Sequence, residues 1–361
     1  MRLQDLLQKL LDLDGTDLYV TVGAPPKISV ESEFVDAAET SCTREDLEGL
    51  VAPLLPDRAA FDARPERDLA WRLGDAGRFR VNVFKQRGEL ALVARRIRVG
   101  IRTLDDLGMP PVLKEMALAR QGLVLVTGAT GSGKSTTLAA MIDHRNASRG
   151  GHVVTIEDPI EFMHEHKRSL VSQREVGVDT ACFADALKSA LRQAPDVLLV
   201  GEVRDRETAD AALHFAETGH LVFATLHSTN ANQTLERLLG LFPGELHAQV
   251  QLLLSLNLRG IVSQRLVPAK SGKRRAALEI LLPTARVRDL LRKGAIEELK
   301  GAIAEGAKEG MITFDQCLHD LYREGAISLE DALAYADSAT DLRLKTSLKA
   351  GRAPDAGIRV V

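Results

Sequence analysis

One contiguous segment carries the most specific chemistry in this chain. Gly128, Ala129, Thr130, Gly131, Ser132, Gly133, Lys134 and Ser135 fit the pattern G-x-x-x-x-G-K-[ST] at every constrained position. Small residues let backbone N–H groups curl around phosphate oxygens, and a helix opening at the lysine directs its positive end at them. Lys134 is expected to reach the β- and γ-phosphates of ATP, Ser135 to hold Mg2+, and Thr136 to complete the cradle. The context agrees: an apolar run, Leu123 to Thr127, reads as a strand before the loop, and Thr136 to Met141 reads as a helix after it.

A phosphate cradle needs carboxylates for the metal and for water. Two acidic clusters follow strand-like runs: Glu157, Asp158 and Glu161 after His152–Ile156, and Glu202 and Asp205 after Val197–Val200. Ligands of parallel α/β sheets lie beyond the carboxyl ends of the strands, so both clusters are expected to face the loop. Glu202 is expected to order Mg2+ through water, Glu157 and Asp158 stand as further metal candidates, and Glu161 is expected to orient or deprotonate the attacking water. The plainer alternative is that these acids cap the next helix, which the Asp158–Pro159 pair also suits. His227, at the carboxyl end of Leu221–Leu226, is placed to sense the γ-phosphate, whereas His220 could simply start that strand. His164 and His166 form an H-x-H without a third ligand at a convincing spacing. Arg78, Arg80, Arg95 and Arg96 cluster earlier in the chain. They read either as a solvated face of alternating strands or as cations delivered to a neighbour's phosphates in a ring.

These residues must be positioned by two bodies, the usual expectation for 361 residues. Residues 1–100 alternate helical and strand patterns, with Thr43 capping a helix and hairpins over Asp68–Leu73, Arg78–Gln86 and Leu90–Ile97. This predicts an α+β unit. The pattern breaks over Val99–Pro111, giving a linker at 101–112. Continuously apolar short strands then alternate with helices over 113–284, the mark of a mostly parallel sheet buried on both faces. Residues 285–361 read as helical (Ala285–Arg292, Ile296–Lys308, Phe314–Glu324, Ser328–Ala336) with a fraying polar tail. Lys270–Arg275 reads as a hairpin tip.

Composition narrows the function classes. Lysine plus arginine total 47 against 50 acidic residues, a net charge of -3, and aromatics are 4%, which disfavours a groove that tracks nucleic acid. Three separated cysteines make neither a disulfide framework nor a metal site. Met1–Leu13 is interrupted by Asp5, Lys9 and Asp12, unlike a signal peptide, and no run reaches the ~20 apolar residues of a membrane span. A cytoplasmic location follows as the expectation.

The boxes, in this order, resemble the bacterial secretion ATPase superfamily of type II secretion and type IV pilus motors. The resemblance comprises the Walker A loop at Gly128–Ser135, IEDPIE at Ile156–Glu161, LLVGEVRD at Leu198–Asp205 and TGHLVFATLH at Thr218–His227. The element GTDLYVTVGAPP at Gly15–Pro26 extends it to nearly the whole chain. The chain is similar to the retraction ATPases of the PilT/PilU family, and Arg192–Thr208 and Gly310–Leu344 resemble the PilU branch. The helix ARVRDLLR, Ala285–Arg292, is a looser match to the retraction helix of the PilT branch.

The resemblance implies an N-terminal PAS-like α+β domain followed by a RecA-like P-loop ATPase core with a helical C-terminal part. It implies a homohexameric, ATP- and Mg2+-dependent motor acting on an inner-membrane platform protein, peripherally at the inner membrane, and retracting pili either alone or alongside a PilT-type partner. Glu161 and Glu202 become its acids, and His227 and the arginines its sensor and trans elements. A nucleic-acid translocase, or a regulatory subunit of low turnover, could be built on the same core.

Overall fold

In the computed structural model the structure describes residues 1–30, 33–74, 76–97 and 100–350, with side chains through 347. The expected tail, and Val99 within the expected boundary, lie outside the described residues. The chain forms two compact units, Met1–Ile101 with Ile160–Met163, and Arg102–Pro159 with His164 onward.

The first unit opens with α1 (Leu3–Asp12), whose Leu3, Leu6, Leu7 and Leu10 recur at helical spacing and are buried. Strands β1 (Asp17–Thr21), β2 (Lys27–Val30) and β3 (Glu33–Asp36) follow, then α2 (Arg44–Val51) and α3 (Arg58–Ala63). Thr43 and Asp46 form the reciprocal capping box that starts α2. The long strands β4 (Glu66–Leu73), β5 (Gly77–Gln86) and β6 (Glu89–Ile97) complete an antiparallel sheet in the order β3-β2-β1-β6-β5-β4. Along β5 the period of two is strict: Phe79, Val81 and Val83 are fully buried, while Arg78 and Arg80 are half-buried on the other face.

The second unit begins with α4 (Val112–Ala117), β7 (Gly122–Thr127) and α5 (Lys134–Ser148). It continues through β8 (Gly151–Glu157), β9 (Ser169–Glu175), α6 (Phe183–Ala190), β10 (Val197–Val200), α7 (Arg206–Glu217), β11 (Leu221–Leu226), α8 (Ala231–Leu239) and α9 (His247–Asn257). A hairpin of β12 (Leu258–Pro268) and β13 (Arg274–Leu281) turns at residues 269–273. The sheet order is β13-β12-β7-β11-β10-β8-β9, parallel throughout except for that hairpin. Strands β7, β10 and β11 are buried along their whole length, as their unbroken apolar sequence requires. The edge strand β9 carried no such signal, because Ser172, Gln173 and Arg174 face partly outward.

The C-terminal helices are α10 (Ala285–Lys293), α11 (Leu299–Glu305), α12 (Phe314–Arg323), α13 (Leu329–Tyr335) and α14 (Ala339–Ala350). The single helix expected over Ile296–Lys308 is instead a 3-10 turn, α11 and a second 3-10 turn. Gly306 ends α11, and having no Cβ it leaves room for Met311 Cε, which would lie 1.9 Å from one. Phe314, Leu318, Ile327 and Ala332 form a separate small core with Val267 and Ala277 of the hairpin.

Candidate functional site

The four boxes follow four strands that are neighbours in the sheet. In the order β7-β11-β10-β8, the glycine loop leaves β7, His227 follows β11, Glu202 follows β10, and Glu157 ends β8. Parallel strands place all these ends on one edge, and strands ~4.8 Å apart set neighbouring boxes within reach of one bound nucleotide.

The loop is built for close approach. Gly128, Gly131 and Gly133 all have positive φ (150, 76 and 90°), a conformation that strains other residues. At Gly133 a Cβ would sit 2.7 Å from Gln264 Nε2, so even a methyl group would collide with the wall behind the loop. Lys134 starts α5 and is only 9% exposed; its Nζ donates to the carbonyl oxygens of Gly128 (2.9 Å) and Ala129 (3.1 Å). Ser135 and Thr136 follow in the first turn, both half-buried, while Ala129, Thr130 and Gly131 are exposed. Ser132 Oγ is buried without a hydrogen-bond partner. A backbone cradle, a helix N-terminus, an ammonium and an unsatisfied hydroxyl fit a nucleotide's phosphates.

The acids on the same edge of the sheet as the loop form a charged cluster. Glu202 is largely buried; Arg204 Nη2 lies 2.7 Å from its Oε2, and His227 Nε2 lies 3.3 Å from its Oε1. Burial alone would raise the Glu202 pKa, but Arg204 and His227 together hold it below the ordinary value, so Glu202 is ionised at neutral pH. Arg204 also reaches Asp158 at 3.7 Å. Glu157 accepts from Thr155 Oγ1 (2.6 Å) and Gln173 Nε2 (3.2 Å). An ionised carboxylate beside a hydroxyl-bearing loop suits a hard divalent cation reached through water.

Helix capping divides the acids. Asp205, not Glu202, caps α7 by accepting from Thr208 N at 2.8 Å. No helix follows Asp158, so Asp158 caps none. His220 lies at the opposite end of β11 from His227, against Phe215.

The remaining candidates lie in the first unit. Glu161 belongs to Ile160–Met163, which groups there rather than with the 113–284 stretch in which the sequence places it. The four arginines do not share a face. Arg80 pairs in register with Arg95, and Arg78 lies on the same side; Arg96 pairs with Phe79 and faces the other way. Arg78 Nη1 meets Met163 Sδ at 3.3 Å. Arg80 lies 3.5 Å from Asp68, Arg95 bonds Asp17 at 2.6 Å, and Arg96 bonds Asp14 at 2.6 Å. The Arg95 guanidinium is held above its ordinary value chiefly by the Asp17 hydrogen bond, against burial, with Glu161 among the smaller contributions.

Sequence reasoning missed two residues of the site. Arg204, two positions after Glu202 in the same box, orders two of the acids. Gln264 of β12 braces the loop: its Nε2 donates to Ser132 O (2.8 Å) and its Oε1 accepts from Thr137 Oγ1 (2.8 Å).

Among the described residues no group of three or more His, Cys, Asp or Glu side chains is placed to hold a metal ion, and His164 and His166 have other surroundings. His166 Nδ1 instead accepts from Val171 N at 3.2 Å. His164 is half-buried with its Nδ1 out of solvent and unpartnered, and burial lowers its pKa from 6.5 to about 4, Asp143 opposing and Lys167 adding to the shift. Between those values the unfolded chain binds the proton and the folded one does not, so stability falls as pH drops from about 6.5 toward 4. The full loss approaches ~3 kcal/mol. Denaturant titrations should therefore show a destabilisation between pH 6.5 and 4 that is reduced in His164→Gln.

Comparison with known proteins bears on the whole chain. A family described as Type II/IV secretion system protein matches residues 67–341. Type IV pilus ATPase PilU of Pseudomonas aeruginosa is 49% identical over 96% of this chain and 92% of its own length. The type IV pilus retraction ATPase PilT of the same organism is 43% identical over 92% of this chain and 97% of its own. The crystal structure of the pilus retraction motor PilT with bound ADP superposes with a TM-score of 0.89 at 38% identity, covering 95% of this chain and 99% of that one. The chain belongs to the type II/IV secretion system protein family, among its type IV pilus retraction ATPases.

Proposed function

We propose that this protein hydrolyses ATP to drive type IV pilus retraction, as a ring of six copies acting on an inner-membrane platform protein from the cytoplasmic side. The observation that carries this reading is the alignment of the phosphate loop, His227, Glu202 and Glu157 along one edge of four neighbouring strands. The PilT motor of the same fold binds ADP. No helix among the described residues is long and apolar enough to cross a membrane, so a platform of another chain would take the force.

In this reading Gly128–Thr136 bind the phosphates and Lys134 neutralises charge that develops on them. Mg2+ would be held by Ser135 and, through water, by Glu202, with Glu157 and Asp158 behind; bound there, it would polarise the phosphoryl oxygens. His227, hydrogen-bonded to Glu202, would report the γ-phosphate, and Glu161 would orient water. Arg78, Arg80 and Arg95 share the face suited to serve a neighbouring copy, whereas Arg96 points to the opposite side. The working divisions are 1–100 as the PAS-like domain, 101–112 as linker, 113–284 as core and 285–361 as the C-terminal region.

Identity to PilU exceeds identity to PilT (49% against 43%), which favours an accessory role beside a PilT-type motor. Deleting the gene with and without the retraction paralogue, scored for twitching and surface pili, tests this. Loss of twitching only when both the paralogue's force and this chain are needed supports the accessory role; unchanged twitching and piliation in both backgrounds would refute the retraction reading.

A further inference from the structure

Behind the phosphate loop lies a layer of buried polar side chains. Thr127 Oγ1, at the end of β7, donates to Ser263 Oγ of β12 (3.2 Å) and lies 3.3 Å from Thr234 Oγ1, whose own hydrogen goes to Asn230 O (2.7 Å). Thr234 also meets Ser228, the residue after His227, at 2.7 Å. Glu279 of β13, which pairs with Ser263, accepts from Ala231 N at the start of α8 (2.8 Å). Thr127, Ser263 and Thr234 have no exposed surface, and Gln264 and Glu279 are each 2% exposed. In so dry a layer each lost hydrogen bond leaves a stranded partner, so displacement of one member disturbs the next.

Gln264, on the face of β12 opposite to Ser263, touches the loop by the bonds to Ser132 O and Thr137 Oγ1. The next residue, Arg265, points to the opposite face of β12, as adjacent strand residues must. Its guanidinium stacks 3.8 Å over the Phe314 ring of α12, donates to Tyr335 O (2.7 Å) and pairs with Asp337 (2.7 Å). Asp337 also binds Lys300 (3.0 Å), and its backbone N–H donates to Asp315 (2.7 Å). One rigid strand thus holds the loop with one side chain and the start of α12 and the end of α13 with its neighbour. Both side chains are held by at least two directional contacts.

We propose that Gln264 and Arg265 couple the phosphate loop to the C-terminal helices. Gln264 is a positioning residue for the loop, and Arg265 carries loop displacement to Phe314 and Asp337. The proposal rests on the ATPase reading, and amide hydrogen exchange on the full chain, with and without Mg2+ and a non-hydrolysable ATP analogue, separates the two.

In the wild type the analogue should slow exchange over residues 128–137 and also shift exchange over 314–323 and 335–338. Arg265→Met should keep the loop response and lose the distal one. Gln264→Glu keeps the acceptor for Thr137 but turns a carboxylate oxygen on Ser132 O; it should lose the distal response and raise half-saturation by nucleotide about tenfold. If Arg265→Met fails to fold, Asp337→Asn, which leaves the stack on Phe314, carries the same comparison. A protected loop with unmoved distal helices in the wild type, or an unchanged distal response in the Arg265 or Asp337 variant, overturns the coupling. A wild-type loop that gains no protection overturns the nucleotide reading itself, and the coupling with it.

Discussion

Lys134→Ala should lower ATP turnover by about three orders of magnitude, the scale for removing a preorganised charge from a reacting oxyanion. Nζ is the one ammonium that the loop itself supplies, and it rests on Gly128 O and Ala129 O, within the curl that would face the phosphates. The loss should appear in kcat as well as in nucleotide affinity, because the charge acts on oxygens whose negative charge grows during transfer. Folding should survive, since the loop is also braced by Gln264. Purified wild type and variant, compared by phosphate release and by thermal melting, give the result. Turnover within tenfold of wild type would mean that the loop does not hold the reacting phosphate.

That expectation was legible because the loop is contiguous: the glycines, lysine and serine that must meet are adjacent in the chain. Glu202 and His227 were legible for a different reason. Parallel strands put every carboxyl end on one edge, so a residue just after an apolar run is located without knowing the strand order. The same logic fails where register or long-range contact decides. Arg95 and Arg96 are neighbours in sequence, yet register with Arg80 and Phe79 sends them to opposite faces. Gln264 is one polar residue in a strand 132 residues beyond Ser132, and nothing local marks it as the brace of the loop. Glu161 shows the limit in domain terms. It sits within one box with Glu157 and Asp158, but Ile160–Met163 group with the N-terminal unit. Arg204 was hidden in plain view: its box drew attention to carboxylates, whereas the structure makes the arginine the residue that orients them.

Glu202→Gln should reduce kcat by about two to three orders of magnitude while ADP binding without Mg2+ changes less than about threefold. The substitution preserves shape and an oxygen that can accept from Arg204, so the cluster should remain assembled. What it removes is the negative charge that Arg204 and His227 keep in place against burial. Two consequences separate a metal-ordering role from a merely structural one. The Mg2+ concentration for half-maximal activity should rise in Glu202→Gln, because the neutral amide is a poorer partner for metal-bound water. In Glu161→Gln it should stay unchanged even where kcat falls, since orienting water does not require contact with the metal. Arg204→Gln supplies the complementary test. Glu202 would lose its 2.7 Å partner and its pKa would move toward the value that burial favours, so the acidic limb of the pH–rate profile should shift upward. Equal Mg2+ dependence in the wild type and Glu202→Gln, together with an unmoved acidic limb in Arg204→Gln, would assign the metal to other carboxylates. Glu157 and Asp158, at the end of the adjacent strand, would then be the residues to replace.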